Sequence, residues 1–138
     1  MAEQENVNLI QKIYTAFGAG DLQTILNNVS SNSEWINHGP ATVPYAGNFS
    51  GRIPAFFQAI ADSTTGGKVT SERFIAQGDT VVSIGRYTAT VQKTGAKIDS
   101  PIAHVFSVRE GKVTSWVGFS DSAAVAAAHS GATASAHH

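Results

Sequence analysis

His104 stands in the middle of the segment SPIAHVFSV, on the same strand face as Ile102, Phe106 and Val108. An imidazole among such neighbours is either a hydrogen-bonded core residue or the polar point of a pocket. Burial would keep it neutral, with one donor and one acceptor nitrogen. A second group lies in SEWINHGPATVPYAGNFSGR, residues 33–52. In a strand, Trp35 and Asn37 share one face, and Ile36 and His38 the other. Asn37 is no base, because a neutral amide has no useful proton affinity. It can orient a carbonyl, a hydroxyl or a water, or it can anchor the adjoining loop. His38, next to Gly39 and Pro40, can serve as a ligand contact, a base or a loop anchor.

Acid–base chemistry commonly also uses a carboxylate, and each of the ten here has a plain explanation. Glu3 and Glu5 fall in a polar leader, Asp21 and Asp121 read as helix caps, and Asp62 ends a short helix. Asp79 and Glu110 are turn residues, and Glu34 faces away from Asn37. Asp99 has the opposite parity to His104 unless Pro101 marks a bulge, and Glu72 lies on an outer strand of unfixed direction. Arg86 is the one mid-strand cation that could point inward; the alternative is the outer face. Other chemistries find no foothold. GAGD ends a helix, so it is no phosphate loop, and no G-x-S-x-G elbow exists. No His, Asp or Glu cluster has metal-ligand spacing, so neither a metal nor a cofactor is expected.

The chain that must position these residues has 138 of them, enough for one domain with a sizeable core. The formal net charge of −1 and scattered Lys and Arg give no nucleic-acid footprint. No apolar run approaches the roughly 20 residues of a membrane span. The start MAEQENVN lacks the character of a signal peptide, and cysteine is absent. A cytoplasmic setting is therefore the default expectation.

Leu9, Ile10, Ile13, Tyr14 and Phe17 form one stripe of a helix over 6–18. Asp21 caps a second helix, with Leu22, Ile25, Leu26 and Val29 inward. A strand at 33–38 leads to a Gly/Pro loop at 39–51 and a short helix at 53–62. Strands follow at about 68–76, 80–92, 97–109 and 112–120, separated by QGD, KTGAK and REGK turns. Asp121 and Ser122 cap a last helix through SAAVAAA. The domain is expected over 1–128, and 129–138 as a disordered tail. His137 and His138 fit a native end or a tag remnant equally and carry no functional weight. The class is α+β: a curved antiparallel sheet with helices on its concave face, forming a cone whose open end is a natural pocket.

IYTAFGAGDLQTIL, SEWINHGP, PYAGNFSGR and HVFSVREGKVTSWVGFSD, in this order and spacing, resemble the SnoaL-like branch of the nuclear transport factor 2-like superfamily. The resemblance spans about residues 6–128. Relatives include polyketide cyclases, limonene epoxide hydrolase and ketosteroid isomerase. It implies a cone-shaped α+β barrel with an interior pocket, often a homodimer through the outer sheet face. It implies no particular reaction. The resemblance to ketosteroid isomerase places Asn37 near that enzyme's carboxylate base. It places His104 near the protonated acid that donates to the oxyanion, where SnoaL-like cyclases also carry a histidine. Two departures stand out. Gly118 occupies the place of the cyclases' acidic residue on the last strand, and the limonene epoxide hydrolase Asp–Arg–Asp relay is not recognisable. The tyrosine donor of ketosteroid isomerase falls at Ile13, with Tyr14 one step away, a turn of about 100° on a helix.

These readings converge on a pocket for a small apolar ligand. His104 and Asn37 are the candidate catalytic residues. Tyr14, Phe17, Trp35, His38, Tyr45, Phe57, Trp116 and Gly118 are candidate binding residues, with Gly118 enlarging the cavity opposite Trp116. Each aromatic has ordinary core packing as its alternative. Two functions remain open. One is proton-transfer catalysis of an isomerase, cyclase or hydrolase kind on an apolar or polyketide-like substrate. The other is a non-catalytic ligand-binding or dimeric module.

Overall fold

The computed structural model describes residues 2–131. The elements run α1 (Ala2–Gly18), α2 (Leu22–Asn27), β1 (Val29–Asn37), β2 (Gly47–Asn48), α3 (Ile53–Ser63), β3 (Thr64–Gln77), β4 (Thr80–Val91), β5 (Lys97–Arg109), β6 (Lys112–Ser120) and α4 (Ser122–Ser130). The six strands form one sheet in the order β2-β1-β6-β5-β4-β3. The sheet is mixed, which corrects the antiparallel expectation. β1 lies parallel to β6, with Trp35 opposite Trp116 and Asn37 opposite Gly118. It is also an open curved sheet and not a closed barrel, with β2 and β3 at its two edges.

Local chemistry explains most element boundaries. The acidic residues Glu3 and Glu5 sit in the first turn of α1, where they complement the helix dipole. The Glu3 carboxylate also accepts a hydrogen bond from the Gly78 N–H at 2.8 Å, so the expected leader is helical and tied to a turn. Asp21 caps α2 by accepting from the Thr24 N–H and hydroxyl. Val29 begins β1 instead of ending α2, and the strand starts four residues before the expected 33. Ser33 bridges the irregular start of β1, donating to the Ser30 and Val113 carbonyls. Asp121 caps α4 through the Ala124 N–H. That helix continues to Ser130, so His129 belongs to the folded domain and not to a tail. Of the expected tail, residues 132–138 lie outside the described residues.

α1 crosses β3 and touches β4, and α4 packs on β5, so the helices cover the concave face. That face carries Val81, Tyr87 and Val91 from β4, Ile98, Ile102, Phe106 and Val108 from β5, and Val113 and Trp116 from β6, all buried. One bulge matters for the site. β3 shifts register between Ser71 and Arg73, where Ser71 lies opposite Gly85. A Cβ at Gly85 would collide with the Thr70 carbonyl oxygen and stand 2.9 Å from the Ser71 Cα. Glycine is what lets the two backbones approach this closely. The outer face holds the Arg86–Asp99 ion pair at 2.7 Å, so both residues point away from the cone. Glu72 is likewise exposed.

Candidate functional site

The cone encloses a cavity of about 90 Å³, several times the roughly 10–15 Å³ that one water needs. Every proposed site residue except Gly118 lines it: Tyr14 and Phe17 from α1, Trp35 and Asn37 from β1, His38 and Tyr45 from the loop after it, Phe57 from α3, His104 from β5 and Trp116 from β6. Helical and strand spacing account for this meeting. Positions 13, 14 and 17 share the inner stripe of α1, and positions 102, 104 and 106 share one strand face.

Gly118 does not enlarge the cavity. A Cβ there would strike the Trp116 ring, with Cη2 at 2.6 Å, and reach to 3.2 Å from Asn37 Oδ1. The indole folds over the glycine two residues on and fills the space that the expectation left empty.

The polar centre is a pair. The Tyr14 hydroxyl and His104 Nδ1 are 2.7 Å apart, from residues ninety positions apart in sequence. The imidazole is 9% exposed and ringed by Tyr14, Phe106 and Trp116 at centroid distances of 5.8, 6.1 and 5.1 Å. Burial without a neighbouring charge pushes its pKa down from 6.5 to about 3, so the ring is neutral. Burial also pushes the Tyr14 hydroxyl upward, so it too stays protonated. Nε2 of His104 makes no hydrogen bond, yet it is not fully enclosed. It is the ring's open nitrogen toward the cavity.

Asn37 donates from Nδ2 to the Tyr45 carbonyl at 3.1 Å. It therefore holds the mouth loop while its Oδ1 stays without a bonded donor. His38 is exposed at the rim, stacked on Phe119 at 4.8 Å. Its backbone N–H bonds the Gly118 carbonyl, but its ring does not hydrogen-bond the loop.

A second polar group was not legible in the sequence. Tyr87 donates to the Tyr45 hydroxyl at 3.4 Å, which lies 2.8 Å from His129 Nε2. Burial raises the pKa of both tyrosines and lowers that of His129, so this cluster is neutral as well. It ties α4 to the mouth loop. Its only sequence signal was a histidine in an alanine-rich end. The Trp35 N–H is buried without a partner. Phe56, Phe57 and Trp116 pack around its ring within 6.0 Å, and such an orphan donor costs about 1–3 kcal/mol.

No Asp, Glu, Lys or Arg lines the cavity. Among the described residues no group of three His, Asp or Glu could hold a metal ion. None of their helices is long and apolar enough to cross a membrane. The arrangement can enclose a neutral, mostly apolar molecule and offer it one strong hydrogen-bonding pole.

The SnoaL-like domain family matches residues 10–116. The chain belongs to this family. No curated protein matches it. Among solved structures, this SnoaL-like domain is similar to a nuclear transport factor 2-like protein from Burkholderia xenovorans LB400, at 28% identity and a TM-score of 0.76, covering 92% of this chain and 97% of that one. It is similar to TerC co-crystallised with polyporic acid, at 24% identity and a TM-score of 0.82, covering 91% and 98%. A protein with a ketosteroid isomerase-like fold from Catenulispora acidiphila DSM 44928, in complex with trimethylamine, shares the fold at 16% identity and a TM-score of 0.74, covering 92% and 95%.

Proposed function

We propose that this SnoaL-like domain binds a small neutral, mostly apolar molecule in the cone and moves a proton on it through His104. One observation carries the reading. The cavity wall is mostly apolar and holds no Asp, Glu, Lys or Arg, and His104 presents an unpartnered Nε2 to it while Tyr14 holds Nδ1. Buried apolar area supplies affinity, and the few polar groups, His104 foremost, supply orientation. Asn37 holds the mouth loop and offers Oδ1 as a further acceptor. Two proteins of similar fold, one co-crystallised with polyporic acid and one in complex with trimethylamine, support a ligand-binding use of the fold.

A second reading, ligand binding without turnover, is favoured by the missing carboxylate, since no Asp or Glu lines the cavity beside His104. One experiment separates the two. Histidine NMR signals are followed while a panel of apolar ketones, phenols and epoxides is added to the protein and to His104→Gln. A compound bound by both and converted only by the unmodified protein supports proton transfer. A compound bound by both and converted by neither supports plain binding. If no compound moves the His104 signals, the pocket reading is wrong and His104 is a core residue.

A further inference from the structure

Both tryptophans line the cavity, and neither indole N–H has a hydrogen-bond partner among the described residues. They differ in access. The Trp35 nitrogen is sealed among Phe56, Phe57 and Trp116. The Trp116 nitrogen is not sealed, although the residue as a whole is only 6% exposed. On a buried side chain of the inner face, an open N–H is open toward the cavity. An indole nitrogen can only donate, so Trp116 supplies a donor of fixed sense.

Gly118 seats that donor. The Trp116 ring lies back over the glycine, with Cη2 at 2.6 Å from the place of a Cβ. Cζ2, the ring atom nearest that place, is bonded to the carbon that also bears Nε1, so the nitrogen edge lies close to Gly118. Across the β1–β6 pair, Gly118 faces Asn37, whose Oδ1 is 3.2 Å from the same Cβ position. Across the β5–β6 pair it faces His104, whose ring centroid is 5.1 Å from that of the indole. The Asn37 amide has a fixed sense too. Its Nδ2 donates to the Tyr45 carbonyl, which leaves Oδ1 as the acceptor on the Gly118 side. That oxygen has no donor among the described residues and is not sealed. An unfilled donor and an unfilled acceptor thus flank one glycine without bonding each other.

We propose that the Trp116 N–H and Asn37 Oδ1 form a two-sided clamp for a ligand hydroxyl, so that the cavity takes a compact, neutral, otherwise apolar alcohol. The proposal rests on the ligand-binding part of the function proposed above and requires no turnover. A hydroxyl oxygen accepts the indole N–H on a lone pair while its own proton goes to Oδ1. A ketone fills only the indole side, and a hydrocarbon fills neither. A charged ligand is excluded on different grounds, since the wall holds no Asp, Glu, Lys or Arg to pair with it. Gly118 is a positioning residue here: it contributes no contact of its own and gives the indole its seat.

The chain has two tryptophans, so its proton–nitrogen NMR spectrum holds two indole signals. Trp35→Phe or Trp116→Phe, whichever folds, assigns both, and the contact of the Trp116 ring with His104 assigns them if neither does. Without ligand, the Trp116 N–H is expected to exchange with water faster than the sealed Trp35 N–H; the reverse order overturns the open donor. Cyclopentanol, cyclopentanone and methylcyclopentane are then titrated, because saturated rings add no ring current to the indole shifts. The alcohol and the ketone should move the Trp116 signal downfield, and the hydrocarbon should not. Cyclopentanol is expected to bind about three- to tenfold more tightly than cyclopentanone; equal affinity overturns the Asn37 side of the clamp. If the compounds move the His104 signals and leave the Trp116 indole in place, the clamp is wrong and ligand binding stands. If none of them moves any cavity signal, the binding reading falls and the clamp falls with it.

Discussion

Acidification should unfold this domain in a way that His104 dominates. The residue is neutral and buried, and its pKa falls from 6.5 to about 3 on folding. Between those values the unfolded chain binds a proton that the folded chain refuses. Stability is therefore intact above pH 6.5 and falls as pH drops toward 3. From neutrality to pH 5 the loss is about 1.4 kcal/mol per pH unit over roughly 1.5 units, about 2 kcal/mol. His129 contributes in the same direction, since burial lowers its pKa too. A comparison with His104→Gln isolates the larger share, because glutamine does not titrate and can still bond the Tyr14 hydroxyl. Urea unfolding at pH 7, 6 and 5 measures both proteins. The unmodified protein should lose about 2 kcal/mol more than the variant over that range. Parallel loss in the two would mean that His104 is solvated enough to accept a proton, and the closed apolar site described above would be wrong.

Two further perturbations test the packing. Gly118→Ala should cost about 1–3 kcal/mol, because the new methyl must displace the Trp116 ring; a thermal melt that is unchanged or raised would show that the indole does not cover Gly118. Asp99→Asn should cost less than about 1 kcal/mol and matter less in high salt, since the Arg86–Asp99 pair is half-exposed; a loss above about 2 kcal/mol by urea unfolding would mean that the outer face is shielded from water.

Alternation in regular strands made much of the site legible. Isolated residues such as Trp35, Asn37 and His104 could be assigned a face because nothing interrupts the pleat between them and their neighbours. The helix stripe placed Tyr14 and Phe17 for the same reason. The parallel pairing of β1 with β6 left no trace, because it joins segments about eighty residues apart without a hairpin. The buried Ser83 was hidden differently. Its bonded partner Ser71 comes from β3 and its facing residue His104 from β5, and only the assembled sheet brings them together. Gly118 misled because a missing side chain says nothing about which neighbour occupies its place. His129 looked like tail because alanine-rich sequence has no strong amphipathic stripe, while its actual tether is a single bond to Tyr45.

The absent carboxylate decides what His104 can do. In a site with an acid, an imidazolium formed during proton transfer is stabilised by the adjacent negative charge. Here the wall offers none, and burial already penalises the charged ring. A base that only accepts would have to become a cation in an apolar cavity, so it would be a poor one at neutral pH. A base that releases one proton while taking another stays neutral throughout. The 2.7 Å hydrogen bond between Nδ1 and the Tyr14 hydroxyl is the place where such release can begin. Catalysis and plain binding therefore part at this bond. If the proton can leave through it, His104 works without a carboxylate; if it cannot, the same residue is a hydrogen-bonding anchor in a binding pocket.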